Sequence, residues 1–295
     1  MSSPVSLLGL LLLNNKLNFA ALLFCCSRLY LRILPLGQVP GLKKFYEWLV
    51  DDRSQPVPVA TKETRRGEES GPIKSSLKKK PRALELGCAT GQYLIQLQDA
   101  GWLATGIELS ERPVTIARDA GLNVHRGTLE TTDLQAEQFE LVAAWKVLEH
   151  VPDAKATLRR LNTLLIPGGT LLLSIPNAGS WESWFFGRSW YVWELPRHLH
   201  HFTPSSIRKL LEECEFTNIT IIHQRNLSNV VGSLALAILD RWPESRFGRR
   251  LLRYPDRPTT ATKLVLAPFA HLLAWMRQGG RLTISAKRGT SESRP

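Results

Sequence analysis

Residues 83–91 read ALELGCATG, and this stretch most narrows what the chain can fold into. Ala83-Leu84-Glu85-Leu86 is short, mostly apolar and bounded by a glycine, which predicts a buried strand. Gly87 and Gly91 then mark a tight turn, and Tyr93, Leu94 and Leu97 recur behind it at helical spacing. A strand that passes through a glycine turn into a helix brings backbone N–H groups close to a ligand. Dinucleotide sites of this kind use GxGxxG. Here the two glycines stand four residues apart, with Cys88, Ala89 and Thr90 between them, which argues against a dinucleotide.

Four more units follow the same plan. Residues 102–108 predict a second strand that ends on Glu108, where a carboxylate can accept from both vicinal hydroxyls of a ribose. Residues 122–125 predict a third strand running into RGTLE, and residues 139–145 a fourth that opens into KVLEHVPD. A helix over 154–165 leads to Pro167-Gly168-Gly169 and a fifth strand over 170–175. Strand tips at Gly87, Glu108, Thr128, Trp145 and Pro176 predict an α/β fold, a doubly wound, mostly parallel sheet with its ligand crevice at the carboxyl ends. Strands over 216–223 and 281–287 complete a seven-stranded sheet.

The ordered set resembles the class I S-adenosylmethionine-dependent methyltransferases. Glu85, Gly87, Ala89 and Gly91 match the acid-x-Gly-x-Gly/Ala-x-Gly turn of that family, with Ala89 where many members have glycine. VLEHV (147–151) and the PGG-strand-PN run resemble the subgroup that includes ubiquinone-biosynthetic enzymes. The resemblance implies a Rossmann-like methyltransferase fold, S-adenosylmethionine as cofactor and an antiparallel last strand. It places cofactor contacts at Glu85, Gly87, Cys88, Ala89, Gly91, Glu108 and Leu109, with adenine near Thr128 and Leu129 and Trp145 lining the cleft.

For the acceptor, SWESWFFGRSWYVWELPRHLHHF (180–202) resembles a pattern of the same subgroup. Trp190, Trp193, Arg197 and His200 are the expected substrate contacts, since aromatic faces stack on rings and Arg holds phosphate or carboxylate. His150, His198 and His201 are the candidates for catalysis, although aligned donor and acceptor can suffice without a base. Some ubiquinone-type relatives hold a divalent metal through an acid three residues before the Glu-His pair. This chain has Lys146 there, so no metal is expected. No N/D-P-P-aromatic tetrapeptide follows the fourth strand, where the chain reads AWKV. That absence disfavours amino acceptors and moves oxygen forward.

The formal net charge is +12, unevenly spread. Residues 1–80 carry +7, residues 81–240 carry −4 and residues 241–295 carry +9. The basic flanks suit an anionic surface, and adjacent apolar runs favour membrane over nucleic acid, for which no RNP1-like run is present. Residues 1–50 read as an apolar, basic helical extension, too interrupted at Asn14–Asn18 to span a membrane, and 51–81 as a flexible linker. The methyltransferase core takes 82–225 plus 281–288, with 178–204 as the acceptor-side segment. Residues 226–280 read as two helices, over 227–239 and 264–276, joined by a basic loop and serving as lid or membrane contact. Cys25, Cys26, Cys88 and Cys214 show no metal-ligand spacing and suit a reducing, cytoplasmic setting.

The expected function is methyl transfer to a small-molecule, sugar or lipid-linked acceptor at oxygen. Three alternatives predict different observations. A non-catalytic membrane-associated binding protein incorporates no methyl group, an NAD-dependent oxidoreductase quenches NADH fluorescence, and an RNA methyltransferase needs an RNA-binding module.

Overall fold

A computed structural model describes residues 80–225, 227–255 and 260–289, without the side chains of 260–265. The expected extension over 1–50, and the linker up to residue 79, lie outside the described residues. The elements are β1 (Arg82–Leu86), α1 (Gln92–Asp99), β2 (Leu103–Glu108), α2 (Glu111–Asp119) and β3 (Asn123–Arg126). Then come β4 (Phe139–Trp145), α3 (Ala154–Leu164), β5 (Leu165–Pro176) and α4 (Trp181–Phe186). The remainder is α5 (Pro204–Glu213), β6 (Phe216–His223), α6 (Ser228–Arg241), α7 (Arg246–Leu252), α8 (Thr260–Trp275) and β7 (Arg281–Arg288).

The strands form one seven-stranded sheet in the order β3-β2-β1-β4-β5-β7-β6. The first five are mutually parallel, and β7 is antiparallel to both of its neighbours. Parallel strands covered on both faces by crossover helices are apolar throughout. Accordingly Ala83, Leu84, Leu141, Val142, Ala143, Leu171 and Leu173 are fully buried. One face packs Leu158, Leu161, Ile207 and Leu211 onto the sheet, and the other Leu94, Leu97, Val114 and Ala117. Strand order reverses between β1 and β4, so the two tips at that switch point flank a crevice.

Two expectations are corrected. The fifth strand starts at Leu165, directly after α3, and not at residue 170. Phe139 pairs with Leu165 and Leu141 with Thr170, so Pro167-Gly168-Gly169 is an irregularity inside the strand, with Gly168 at φ 75°. The second concerns the basic stretch after α6, which contains a helix, α7, where a loop was expected. Ser245 caps it, its hydroxyl accepting from the Gly248 N–H at 3.1 Å. A Cβ on Gly248 would come within 2.9 Å of Leu239, so this glycine permits close packing on α6.

Candidate functional site

The turn after β1 is shaped by residues with positive φ: Gly87 (71°), Ala89 (47°) and Gly91 (81°). Gly87 and Cys88 donate to the Ile107 carbonyl at 2.8 and 3.1 Å, and Gly91 donates to Cys88 at 2.8 Å. Glu108 ties this turn to β2. One carboxylate oxygen accepts from the Ala89 N–H at 3.0 Å and the other from Ser110 at 2.8 Å. Each oxygen keeps a further lone pair, so the carboxylate can still accept two hydroxyls. Leu109 beside it is exposed, whereas Leu129, past the β3 tip, is buried. The Thr128 N–H is held by the Thr131 hydroxyl at 2.8 Å.

Glu85 is buried in β1 with one carboxylate oxygen lacking a hydrogen-bond partner among the described residues. Burial, and secondarily the charge of Glu108, pushes its pKa up to about 8. The same two influences, with Glu85, push the buried Cys88 thiol up to about 12. Across the switch point Trp145 presents an indole N–H that is also buried and unpartnered, its ring edge-on to Tyr93 at 5.2 Å. A Cβ on Gly87 would collide with Val147, so the segment after β4 lies directly against the turn. Unpaired buried polar groups on both sides of one crevice are the mark of a site shaped for a polar ligand.

Beyond the β4 tip lies a cavity of about 590 Å³. Lys146, Glu149 and His150 form one wall, Tyr191, Val192, Glu194, Leu195, Arg197 and His198 another, and Asn229 and Arg281 complete it. Two walls distant in sequence are zipped together by main-chain bonds. The Glu149 carbonyl accepts from Leu199 and His200 at 2.7 and 3.2 Å, and His200 Nε2 donates to the Val151 carbonyl at 2.9 Å. His150 Nδ1 faces the Arg197 carbonyl at 3.0 Å, and His198 Nδ1 faces that of Val192 at 2.8 Å. A carbonyl can only accept, so both Nδ1 atoms carry the proton and both Nε2 atoms keep a lone pair. The rings stand 4.7 Å apart.

Glu149 completes the group. It is buried, one oxygen lacks a partner among the described residues, and one ligand atom each from Glu149, His150 and His198 lie within 4.8 Å of one another. Burial raises the Glu149 pKa, offset in part by its backbone bond and by the charges of His150, Arg281 and Lys146. Burial pushes the pKa of the buried Glu182 up to about 7, and the charge of Arg281 acts against that rise. His198 is held below the usual histidine value, by burial first.

The geometry redistributes the expected acceptor contacts. His150, His198 and Arg197 line the cavity; Trp190, Trp193, His200 and His201 do not. Trp190 is fully buried, and Trp193 donates its indole N–H to the Gly187 carbonyl at 2.8 Å. His201 Nε2 donates to the Trp193 carbonyl at 3.2 Å, and His200 is the zipper residue described above. Trp193, His200 and His201 build the wall by bonding to backbone carbonyls, the nearest acceptors, and Trp190 contributes its buried ring. The sequence places Glu149 beside His150 in the cleft, as found, but it gives no sign of Tyr191, Glu194, Asn229 and Arg281 as cavity groups. Asn229 and Arg281 come from elements outside the aromatic segment.

Residues 63–221 match the family model described as a methyltransferase domain, Methyltransf_23. The chain belongs to the S-adenosylmethionine-dependent methyltransferase family. The methyltransferase is 33% identical over 130 residues to the ubiquinone biosynthesis O-methyltransferase of Xanthomonas euvesicatoria pv. vesicatoria, covering 41% of this chain and 54% of the relative. It is 30% identical over 134 residues to that of Haemophilus ducreyi, covering 41% and 57%. The chain thus spans about half the length of the curated relatives it matches. Among solved structures, a SAM-dependent methyltransferase from Archaeoglobus fulgidus covers 72% of this chain and 87% of its own at 18% identity, with a TM-score of 0.47. Among the described residues no helix is long and apolar enough to cross a membrane.

Glu85 makes the stability of the methyltransferase pH-dependent. Its folded pKa, about 8, lies above the ordinary carboxylate value of 4.5, so its contribution is fully present below pH 4.5 and is lost as pH rises through 8. Wild-type unfolding free energy, measured by denaturant titration, should fall between pH 5.5 and 8 by on the order of a few kcal/mol more than in Glu85→Gln. Equal slopes in the two proteins would show that Glu85 is ionised throughout.

Proposed function

We propose that this methyltransferase moves a methyl group from S-adenosylmethionine to a hydroxyl oxygen of an acceptor seated in the cavity beyond the β4 tip. The observation that carries the reading is the convergence of Glu149, His150 and His198 beside the switch-point crevice. One polar atom from each lies within 4.8 Å of the others, and the Nδ1 of each histidine is engaged by a backbone carbonyl. A hydroxyl seated among them can hand its proton to a histidine Nε2. The O-methyltransferase relatives support oxygen, and a small or lipid-linked acceptor suits a cavity of about 590 Å³.

The donor site fits its cofactor on the chain's own terms. Glu108 holds the ribose hydroxyls, Leu109, Thr128 and Leu129 border the adenine, and the turn from Gly87 to Gly91, with Cys88 and Ala89, supplies backbone close to the ligand. The unpaired Glu85 oxygen and the Trp145 indole face the polar and cationic end. When bound, the cofactor supplies an activated methyl group for in-line displacement. The protein orients acceptor oxygen toward it, excludes water with the wall at 190–201, and takes the hydroxyl proton on His198 Nε2. The Arg197–Glu194 pair at 3.2 Å fixes the rim, and Arg281 and Lys146 offset the buried carboxylates. Those two cations also disfavour a metal at the cluster. Basic flanks beside apolar segments favour peripheral association of the protein with an anionic membrane face.

Purified protein incubated with methyl-labelled cofactor and a cell extract should place label in an acid- and base-stable ether product. Prior dialysis against a chelator should change the rate by less than about twofold. No incorporation would favour the binding-protein alternative, and loss of activity restored by a divalent ion would replace the base with a metal.

A further inference from the structure

At the end of α6 and through α7 the usual distribution of side chains is inverted. Trp242 and Phe247 are 60% and 62% exposed, although each is a large apolar group five residues from the other. The inward side of the same helices is satisfied. Gly248 sits against Leu239 and Ile238, and Leu251 and Leu252 are half-buried. The aromatic pair therefore has not been left out for want of a packed face.

Around it stand Arg241, Arg246, Arg249, Arg250 and Arg253, all exposed. Only Glu244 opposes them between residues 241 and 253, and it pairs with Arg249 at 3.3 Å. Arg246, Arg250 and Arg253 have no ion-pair partner among the described residues. Arg241 lies over the Trp242 ring, 5.6 Å from its centroid. A charge of +4 within 13 residues that also carry two exposed rings matches an interface that is anionic outside and apolar a few ångströms deeper. A nucleic-acid groove would use the charge and leave the Phe247 ring unemployed, and neither helix is long enough to span.

We infer that the α6–α7 tip is a docking surface for an anionic lipid bilayer, with Trp242 and Phe247 entering the headgroup layer and the arginines on the phosphates. This rests on the peripheral association proposed above and assigns it to particular residues. The tip belongs to the helical insertion, which also supplies Asn229 to the cavity. A lipid-linked acceptor would thus approach from the surface on which the protein rests.

The test is co-sedimentation of the full chain with phosphatidylglycerol–phosphatidylcholine vesicles and with pure phosphatidylcholine vesicles, comparing wild type, W242S/F247S and R246Q/R250Q/R253Q. Residues 5–34 are then present in every variant. Wild type should bind the anionic vesicles preferentially, and salt should weaken it. The triple arginine variant should lose about 100-fold in partitioning and the aromatic variant about tenfold or more. All substituted side chains are exposed, so thermal melting and cofactor binding should match wild type. Vesicle binding unchanged in both variants, or absent in wild type, overturns the inference. So does tighter binding to duplex RNA that is lost in parallel. Methyl transfer is not read in this assay, so its failure leaves the proposed activity standing, and the reverse holds as well.

Discussion

Glu108→Ala is expected to weaken S-adenosylmethionine binding by about 100-fold or more, measured by calorimetry on the purified protein. A carboxylate that accepts two ribose hydroxyls contributes two charge-assisted hydrogen bonds of roughly 1.5–3 kcal/mol each. Part of the loss is indirect. The same carboxylate accepts from Ala89 and Ser110, so removing it also frees the turn after β1. Glu108→Gln separates the two contributions. Its single amide oxygen can still accept from Ala89 or from a hydroxyl, but it carries no charge and cannot accept at both ends. We expect Glu108→Gln to lose about tenfold and to keep the wild-type melting temperature. If Glu108→Ala binds within threefold of wild type, the acid at the β2 tip does not hold the ribose, and the donor site lies elsewhere in the crevice.

The strands could be read from sequence because burial on both faces leaves a sheet strand almost no compositional freedom. β4 and β6 are found where expected to the residue, and the β1, β2 and β7 boundaries shift by one. The start of β5 was hidden because Pro167-Gly168-Gly169 reads as a turn, and only pairing with Phe139 reveals strand on both sides of it. α7 was hidden for a related reason. Its sequence RFGRRLL carries a glycine and three arginines, and its helical state depends on Gly248 meeting Leu239 across a tertiary contact. The donor turn was legible, since positive φ at Gly87 and Gly91 is a demand that glycine answers visibly.

The cavity beyond the β4 tip was legible only in part. His150, His198 and His201 are expected in catalysis and His200 at the substrate, yet what separates the four is where the backbone offers a carbonyl. His200 and His201 spend Nε2 on Val151 and Trp193, whereas His150 and His198 spend Nδ1 and keep Nε2. No local pattern encodes that choice, because it depends on the pairing of residues 149–151 with 197–200. Arg281 enters from the far end of the chain for the same kind of reason, as the first residue of the antiparallel β7.

That asymmetry singles out His198 for the largest catalytic effect. His198→Asn is expected to lower kcat by about 100-fold or more, the usual worth of a positioned general base, with cofactor affinity unchanged. Asparagine is the informative substitution because its amide N–H₂ can still donate to the Val192 carbonyl, so the wall stays in place while the basic nitrogen is lost. The pH profile distinguishes a base from a structural part. Burial holds the His198 pKa below the ordinary value of 6.5, against the Val192 hydrogen bond and the Glu194 carboxylate, which act to raise it. The imidazole must be neutral to accept a proton. Wild-type kcat should therefore rise with pH with its half-maximal point below 6.5, and that limb should vanish in His198→Asn. A loss of less than about fivefold with the limb intact would mean that alignment alone drives the transfer. His198 would then only shape the cavity, as its neighbour His200 does.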